Sequence, residues 1–450
     1  MADHVLFANL PWWSGRDGRK SRWLSDDRPW RRGVRAGSRW PFTYAGISAP
    51  DAPKFGDYLP YPFFMGYAAT YVERNAGVKT TLRDSIALGE SYKSFEKYLK
   101  SQKFDWIVVE SATPSWEHDR EQIRRIAALT GAKIIVAGPI ATLGERVLEQ
   151  TPAAAVVKGE YEKNILKVIN GATGVLAHDL LTIDEMNEAP FPYFDVLTAH
   201  NYYDPNPIGQ VFPHAQVWAS RGCPYKCIFC VWPATMTGND PDGDSRRTVR
   251  HYTKDYMRAF LKEIVTRYGF KSIYFDDDTF NLGTRHVEAM CEVMREIGLP
   301  WSAMCRADTI KFETWLLMKK SGCFGVKLGF ESGSQYVVDQ IVNKHLDLAY
   351  AGEVVRKLKE IGMTVHGTFT YGLPGETPEQ MRETKSYISS LPFDTIQESG
   401  TADIEGTPLS SLAMKGALAK FPGAKIDANY NRQNDGNVKA RELAKILQNS

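Results

Sequence analysis

The sequence predicts an α/β chain with two parallel-sheet domains, the first doubly wound and the second a partial barrel of six strand–helix units. Three observations carry that reading. Short β-branched and aliphatic runs alternate with stretches of helical period along most of the chain, and this rhythm breaks once, in a proline-rich segment. At 450 residues the chain also exceeds what one hydrophobic core usually holds.

The first domain is expected over residues 1–170. HVLFANL (4–10) reads as a short buried strand. Residues 14–40 follow without any period and carry nine basic side chains, Arg16, Arg19, Lys20, Arg22, Arg28, Arg31, Arg32, Arg35 and Arg39, against Asp17, Asp26 and Asp27. So long a loop is either a solvated insertion or a lid over an anionic ligand. PFFMGYAATYVERN (62–75) has apolar residues at helical spacing with Gly77 at the stop position, and VKTTLRD then reads as a strand. FDWIVVES (104–111), AKIIVAG (132–138) and AAAVVKGE (153–160) are further strands, with helices at 118–129 and 162–169. Sheets of this kind bind ligands at the carboxyl ends of their strands, where the Gly138-Pro139 and Gly159-Glu160 turns fall.

Residues 171–215 carry Pro190, Pro192, Pro205, Pro207 and Pro213 and read as a linker. Alternation resumes over 216–410. Strands are expected at 215–220, 272–278, 301–307, 325–332, 364–372 and 394–400, and helices at 254–268, 285–298, 313–321, 349–362 and 378–391. Residues 411–450 form an extension, a polar loop and one terminal helix of unread role.

Composition excludes several classes. With 55 basic against 53 acidic residues the net charge is +2, so no global field draws the chain to nucleic acid or anionic lipid. No window approaches the ~18 uninterrupted apolar residues of a membrane span. The start, MADHVLFANLPWW, does not have the pattern of a signal peptide, and the expected compartment is the cytoplasm. Six cysteines in so long a chain do not form a secreted disulfide scaffold.

Three of those six lie within eight residues, Cys223, Cys227 and Cys230 in SRGCPYKCIFC. A structural zinc site wants four ligands, and no second CxxC accompanies them. A disulfide would strand the third thiol. Three thiolates on one loop also suit a four-iron, four-sulfur cluster, holding three irons and leaving the fourth open to an outside ligand.

The Cys-x-x-x-Cys-x-x-Cys spacing, placed just after the first strand of a six-unit barrel, resembles the radical S-adenosylmethionine (radical SAM) enzymes. The resemblance extends over residues 216–410 and implies a 4Fe-4S cluster ligated by Cys223, Cys227 and Cys230, whose open iron chelates S-adenosylmethionine. Reductive cleavage of that cofactor then yields a 5′-deoxyadenosyl radical. Phe229 matches the aromatic position beside the adenine, or is a core aromatic. Asp276, Asp277 and Asp278 in YFDDDTF end the second strand, where the family contacts the methionyl amine; three adjacent carboxylates there could equally bind a cation or face water. Arg306 and Asp308 in CRADT end the third strand, and Glu331 and Ser332 in LGFESGS the fourth. These imply contacts to the methionyl group or ribose, the alternative being a buried Arg306–Glu331 ion pair. Gly372, Pro374, Gly375 and Glu376 in YGLPGET form a tight turn after the fifth strand, and GTPL (406–409) completes the pattern. No catalytic residue beyond these cofactor contacts is nominated.

The amino-terminal domain, with its proline-led helix and its Gly138-Pro139 and Gly159-Glu160 turns, resembles the Rossmann-like domain of the cobalamin-binding branch of these enzymes. This implies bound cobalamin, although Asp-x-His-x-x-Gly, which supplies the cobalt-ligating histidine in many cobalamin proteins, is absent. No cysteine precedes Cys223, which argues against a methylthio-transferring relative. The expected activity is methylation of an unactivated carbon in a small-molecule substrate, anionic if the basic loop contacts it, with an external electron donor such as flavodoxin or ferredoxin. The aromatic residues Trp12, Trp13 and Tyr61–Phe64 would border cobalamin or substrate. Cyclisation, oxidation or rearrangement are the rival reactions, and a zinc-stabilised binding module is the rival outside enzymes.

Overall fold

The computed structural model describes residues 4–11, 13–14, 31–32, 59–231, 235–236, 249–401 and 404–414. The basic loop at 14–40 lies outside these residues apart from Ser14 and Arg31–Arg32; Trp13–Ser14 pairs antiparallel with Arg31–Arg32. Trp12 and the expected terminal helix beyond residue 414 lie outside them as well. The described chain divides into two compact units, one built on residues up to Asp204 and the other on residues from Pro205 onward. No helix among the described residues is long and apolar enough to cross a membrane.

In the first unit, strands β1 (His4–Asn9), β2 (Lys79–Asp84), β3 (Trp106–Glu110), β4 (Lys133–Ala137), β5 (Ala153–Val157) and β6 (Gly174–Leu176) form one sheet in the order β2-β1-β3-β4-β5-β6. Every pairing is parallel. This is the doubly wound topology, with its order reversing between β1 and β3. Both of those strands are buried along their whole length, because central strands covered on two faces need continuous apolar runs such as VLFA and WIVV. Leu6, Ala8, Ile107, Val109, Ile134 and Val136 pack into one core with residues of the covering helices.

Two helices differ from the sequence expectation. Thr113–Thr130 starts five residues before the expected His118, because Pro114 sits in its first turn, where a proline costs no hydrogen bond. Tyr92–Ser101 was not expected at all. Its inward stripe is only Tyr92, Phe95 and Leu99, set among charged residues, and Ser91 caps its start through the Ser94 N–H at 3.1 Å. Tyr61 stacks on Phe194 with ring centroids 4.5 Å apart, so this member of the aromatic segment is core.

The carboxyl edge of this sheet is polar and tightly bonded. The Asp84 carboxylate accepts from Asn9 Nδ2 at 2.9 Å, from the Ile86 and Ala87 N–H groups at 3.0 Å each, and from the Tyr202 hydroxyl at 3.3 Å. Burial nonetheless pushes its proton affinity up to about 6. Glu110 accepts from the Tyr161 hydroxyl at 2.7 Å. Gly138 has φ of +88°, and a Cβ there would lie 2.7 Å from both Glu110 Cγ and the Ser111 carbonyl oxygen. The Gly138-Pro139 turn therefore serves close packing of the chain against itself.

In the second unit, β7 (His214–Val217), β8 (Ser272–Phe275), β9 (Trp301–Cys305), β10 (Cys323–Glu331), β11 (Thr364–Tyr371) and β12 (Thr395–Gly400) pair strictly in sequence, all parallel. A helix follows each of the first five strands, at Lys254–Tyr268, Thr284–Ile297, Phe312–Lys320, Leu348–Glu360 and Pro378–Ser389, and a short one, Pro408–Met414, follows the sixth. β7 and β12 each have one strand neighbour, so the barrel is open between them. All six strands stand where the residue pattern puts them, to within a few residues.

Beside this sheet His251 and His286 stack with ring centroids 4.1 Å apart, and Phe280 covers His286. Burial, then the neighbouring His251, hold the proton affinity of His286 down to about 3. The unfolded chain accepts that proton near pH 6.5 and the folded chain refuses it until near pH 3, so this group costs stability as pH falls below 6.5. Lowering the pH from 7 to 5 should cost about 2 kcal/mol through this group. In anaerobic denaturant titrations, His286→Leu should lose correspondingly less stability than wild type over that interval. Gly138→Ala should destabilise the first unit by at least about 2 kcal/mol through strain and overlap with Ser111, read as a lowered unfolding midpoint.

Candidate active site

The cysteine loop leaves the first strand of the barrel and is fastened by backbone bonds at its centre. Ile228 N–H donates to the Val342 carbonyl at 2.9 Å, its carbonyl accepts from Leu409 N–H at 2.8 Å, and Cys230 N–H donates to the Cys227 carbonyl at 3.1 Å. Ile228 also seats in an apolar cluster of Val337, Ile341, Val342, Leu373 and Leu409, and both Cys227 and Phe229 pack against that cluster. The cluster is built on a π-helical turn, Val337–Ile341. Cys223, Cys227 and Cys230 are each half-buried, and none of the six cysteines is in a disulfide.

Among the described residues no three His, Cys, Asp or Glu side chains converge on a single-ion site. A cluster that takes one thiolate per iron does not require them to. Burial pushes the Cys223 thiol up to about 11, with the Asp278 carboxylate adding to the effect, and its sulfur lies 3.8 Å from Thr279 Oγ1. A thiolate there needs a cation beside it, which a ligated iron provides. Cys227 has positive neighbours: both Lys344 and Arg306 lie within electrostatic reach of it.

The three aspartates after β8 have separate surroundings. The Asp277 carboxylate accepts from the Ala219 N–H at 3.1 and 3.2 Å and from the Ser220 hydroxyl at 2.5 Å, holding the end of the first strand. Asp276 donates its N–H to the Val217 carbonyl at 2.9 Å and is buried. Asp278 is the one whose charge reaches Cys223.

Arg306 and Glu331 each form an ion pair, but not with each other, and only that of Glu331 is buried on both sides. The Arg306 guanidinium grips Asp308 through two bonds of 2.5 and 2.9 Å, donates to the His345 carbonyl at 2.9 Å, and lies over the Tyr225 ring at 3.8 Å. Glu331 takes Lys344 at 2.9 Å and the Thr370 hydroxyl at 3.3 Å. Burial works against the charge on Lys344, yet Glu331 and Cys227 hold its proton affinity above the ordinary lysine value.

Ser332 and Gly372 are placed in turns. The Ser332 hydroxyl is 2.9 Å from Thr384 Oγ1 and accepts from the Ser334 N–H at 3.1 Å. Gly372, at φ of 73°, donates its N–H to Glu376 Oε2 at 2.7 Å, and Leu373 donates to the same oxygen at 3.1 Å. Burial raises the Glu376 carboxyl to about 7.

Sequence reasoning missed the segment that joins these parts. Among the described residues only Glu331, Asn343 and His345 combine a side chain with positive φ, at 70°, 59° and 53°. Such conformations cost roughly 1–3 kcal/mol each and persist where the surroundings over-determine them. Asn343 Nδ2 donates to the Lys226 carbonyl at 3.2 Å, and His345 Nε2 lies 2.8 Å from Asn343 Oδ1. The available signal was the polar run Asn-Lys-His directly after VVDQIV, whose Val and Ile residues are buried.

An open parallel barrel with three thiols on the loop after its first strand defines an iron–sulfur enzyme class. Residues 219–388 match the Radical SAM superfamily. An uncharacterized methyltransferase of Pyrococcus horikoshii is 26% identical over 382 residues, covering 79% of this chain and 79% of that protein. Cytidylyl-2-hydroxyethylphosphonate methyltransferase of Streptomyces wedmorensis is 27% identical over 254 residues, 53% of this chain and 45% of that protein. In structure, the radical S-adenosylmethionine methyltransferase TsrM of Kitasatospora setae, solved with cobalamin and a 4Fe-4S cluster, aligns with a TM-score of 0.65 at 15% identity, over 93% of this chain and 79% of its own. The cobalamin-dependent enzyme OxsB aligns with a TM-score of 0.57 at 14% identity, over 86% of this chain and 59% of its own. Residues 219–388 are a radical SAM domain, and the chain is an enzyme that works with a 4Fe-4S cluster and S-adenosylmethionine.

The buried Glu331–Lys344 pair gives a direct test of the site's construction. Lys344→Met leaves Glu331 buried with its charge uncompensated and should cost about 3–5 kcal/mol, whereas the Glu331→Gln, Lys344→Met double variant should regain most of it. Anaerobic denaturant unfolding of the two single variants, the double variant and wild type measures the coupling.

Proposed function

We propose that this enzyme methylates a carbon of a small-molecule substrate, using cobalamin held by the first unit with the cluster and S-adenosylmethionine of the second. The observation that carries the reading is the presence in one chain of a doubly wound sheet and a thiol-bearing open barrel. The fold likeness to cobalamin-containing TsrM over 93% of the chain supports it, as do two relatives named as methyltransferases.

The residues fit these groups. Cys223, Cys227 and Cys230 supply three thiolates, and Lys344 and Arg306 offset negative charge near Cys227. At the carboxyl edge of the first sheet, the helix Thr113–Thr130 has no side-chain cap, but Pro114 carries no N–H and the Ser115 N–H donates to the Ala112 carbonyl at 3.0 Å, which leaves the Thr113 N–H of its first three positions for a cofactor oxygen. His4 and His118 are engaged by Thr81 and by Tyr92 and Pro11, and neither is nominated as a cobalt ligand. When bound, the cluster supplies an electron to the sulfonium of S-adenosylmethionine and cobalamin carries the methyl group.

Glu331, backed by Lys344, and one of Asp276 and Asp278 hold the methionyl amine, while Asp277 keeps the first strand in place for them. Arg306, fixed by Asp308 and Tyr225, orients the cofactor's polar end. Phe229 edges the adenine from its apolar seat. Ser332 and Gly372 shape the surrounding turns. An external one-electron donor such as flavodoxin or ferredoxin reduces the cluster, and a reducing cytoplasm suits its three half-buried cysteine ligands.

Anaerobically reconstituted enzyme with dithionite should release methionine and 5′-deoxyadenosine from S-adenosylmethionine, and Cys227→Ala should lower that rate by at least about a hundredfold. With methyl-deuterated S-adenosylmethionine and an extract of the source cells, mass spectrometry should find a trideuteromethylated small molecule. Label confined to methionine would instead favour cyclisation, oxidation or rearrangement. That second reading has its own support, since an anaerobic magnesium-protoporphyrin IX monomethyl ester cyclase of Cereibacter sphaeroides is 23% identical over 361 residues, covering 72% of this chain and 55% of that protein.

A further inference from the structure

The two faces of the barrel sheet have opposite chemistry. Successive residues of a strand point to opposite faces. One face carries Ile273, Phe275, Trp301, Ala303, Val326 and Val365, all buried and apolar. The strand register places polar residues on the other: Gln216 pairs with Tyr274, Tyr274 with Ser302, Met304 with Lys327, and Lys327 with His366. A closed barrel of this kind fills its inner face with branched apolar side chains. Here Lys327 is 4% exposed, His366 1% and Ser302 0%.

Two polar atoms on this face have no hydrogen-bond partner although they are buried, His366 Nε2 and Ser302 Oγ. Leaving each unsatisfied costs roughly 1–3 kcal/mol. His366 Nδ1 is 2.8 Å from Thr395 Oγ1. With the threonine hydroxyl donating to Nδ1, the ring's proton stands on Nε2, which becomes a donor. The Lys327 ammonium lies 5.1 Å from the centre of the Tyr274 ring. Burial first, and Lys327 second, lower the proton affinity of both His366 and His214, so the lysine's charge faces both rings and both are neutral near pH 7. In that tautomer the face presents one cation and two neutral donors, the set that recognises an oxyanion.

We propose that the inner face of the barrel holds the anionic group of the substrate, a carboxylate, phosphate or phosphonate, between the Lys327 ammonium, His366 Nε2–H and the Ser302 hydroxyl. Calling that anion part of the substrate rests on the methyl-transfer reading above; the anion site itself does not. It makes the substrate an organic acid or phosphorylated small molecule, and gives the anchor that orients its reacting carbon.

The probes are inorganic phosphate, methylphosphonate and propionate, titrated at constant ionic strength into full-length reconstituted enzyme saturated with S-adenosylmethionine. Calorimetry should show saturable binding of at least one probe, weakened tenfold or more in Lys327→Met. Because that variant removes a buried charge and could misfold, wild-type enzyme is also labelled with 15N-histidine; the same probe should shift the ring nitrogens of His366, assigned with His366→Gln. The arms separate phosphorylated from carboxylate substrates. Absence of saturable binding, equal affinity in folded Lys327→Met, an unmoved His366 signal, or competition by S-adenosylmethionine for the probe would each overturn the proposal. Cleavage of S-adenosylmethionine by wild type is scored in parallel. Its failure would sink the enzymatic reading, while saturable, Lys327-dependent binding would still establish the anion site.

Discussion

The buried contact between Glu331 and Lys344 is the constraint on which the rest of the second unit's chemistry depends. An ion pair out of reach of water gains little net stability, since desolvating two charges cancels most of their attraction. What it supplies is placement. Glu331 ends a strand in a left-handed backbone conformation that its neighbours must impose, and Lys344 is held between Asn343 and His345, which share that conformation. The Asn343 amide bonds the cysteine loop at Lys226, and the His345 carbonyl receives Arg306. One short segment therefore sets the positions of the thiol loop, the third strand's arginine and the fourth strand's glutamate together.

Much of this was legible in the residues alone, and the reasons differ by part. The six strands of the barrel were visible because short runs rich in β-branched and aromatic residues, such as SIYF and GVKL, alternate with stretches of helical period. The cysteine spacing was visible because ligation of a cluster fixes sequence distance. The pairing partners were not. Arg306 and Glu331 read as a matched pair of opposite charges on neighbouring strands, whereas Arg306 found its carboxylate two residues along the chain at Asp308 and Glu331 found its cation after a turn, at Lys344. Sequence spacing carries no record of which way a side chain leaves a strand end. The helix Tyr92–Ser101 escaped for a similar reason, its buried stripe being three residues wide in a charged background.

The first unit shows how a motif can be real and still be explained without a ligand. The Gly138 turn has a left-handed backbone because Glu110 and Ser111 press against it, and Gly159 because the His178 ring does, 2.5 Å from where a Cβ would stand. These turns thus follow from close packing at the strand ends, as in any doubly wound sheet. The helix start after β3 lacks a side-chain cap, but Pro114 has no N–H and the Ser115 N–H is taken by the Ala112 carbonyl, so it offers little more than the Thr113 N–H. The proposal of a ligand on this unit therefore rests on the likeness of fold, not on its glycines.

The π-helical turn at Val337–Ile341 fits one more residue into a turn than an α-helix does. Val342, immediately after it, offers the carbonyl that receives Ile228 from the thiol loop. Deleting a single residue there would restore ordinary winding and rotate everything downstream by about 100° around the helix axis. The carbonyl would then face away from the loop, and Lys344 away from Glu331. Length in this stretch is thus as tightly specified as identity, and a lineage that lost that residue would have to rebuild the floor beneath its iron site from other atoms.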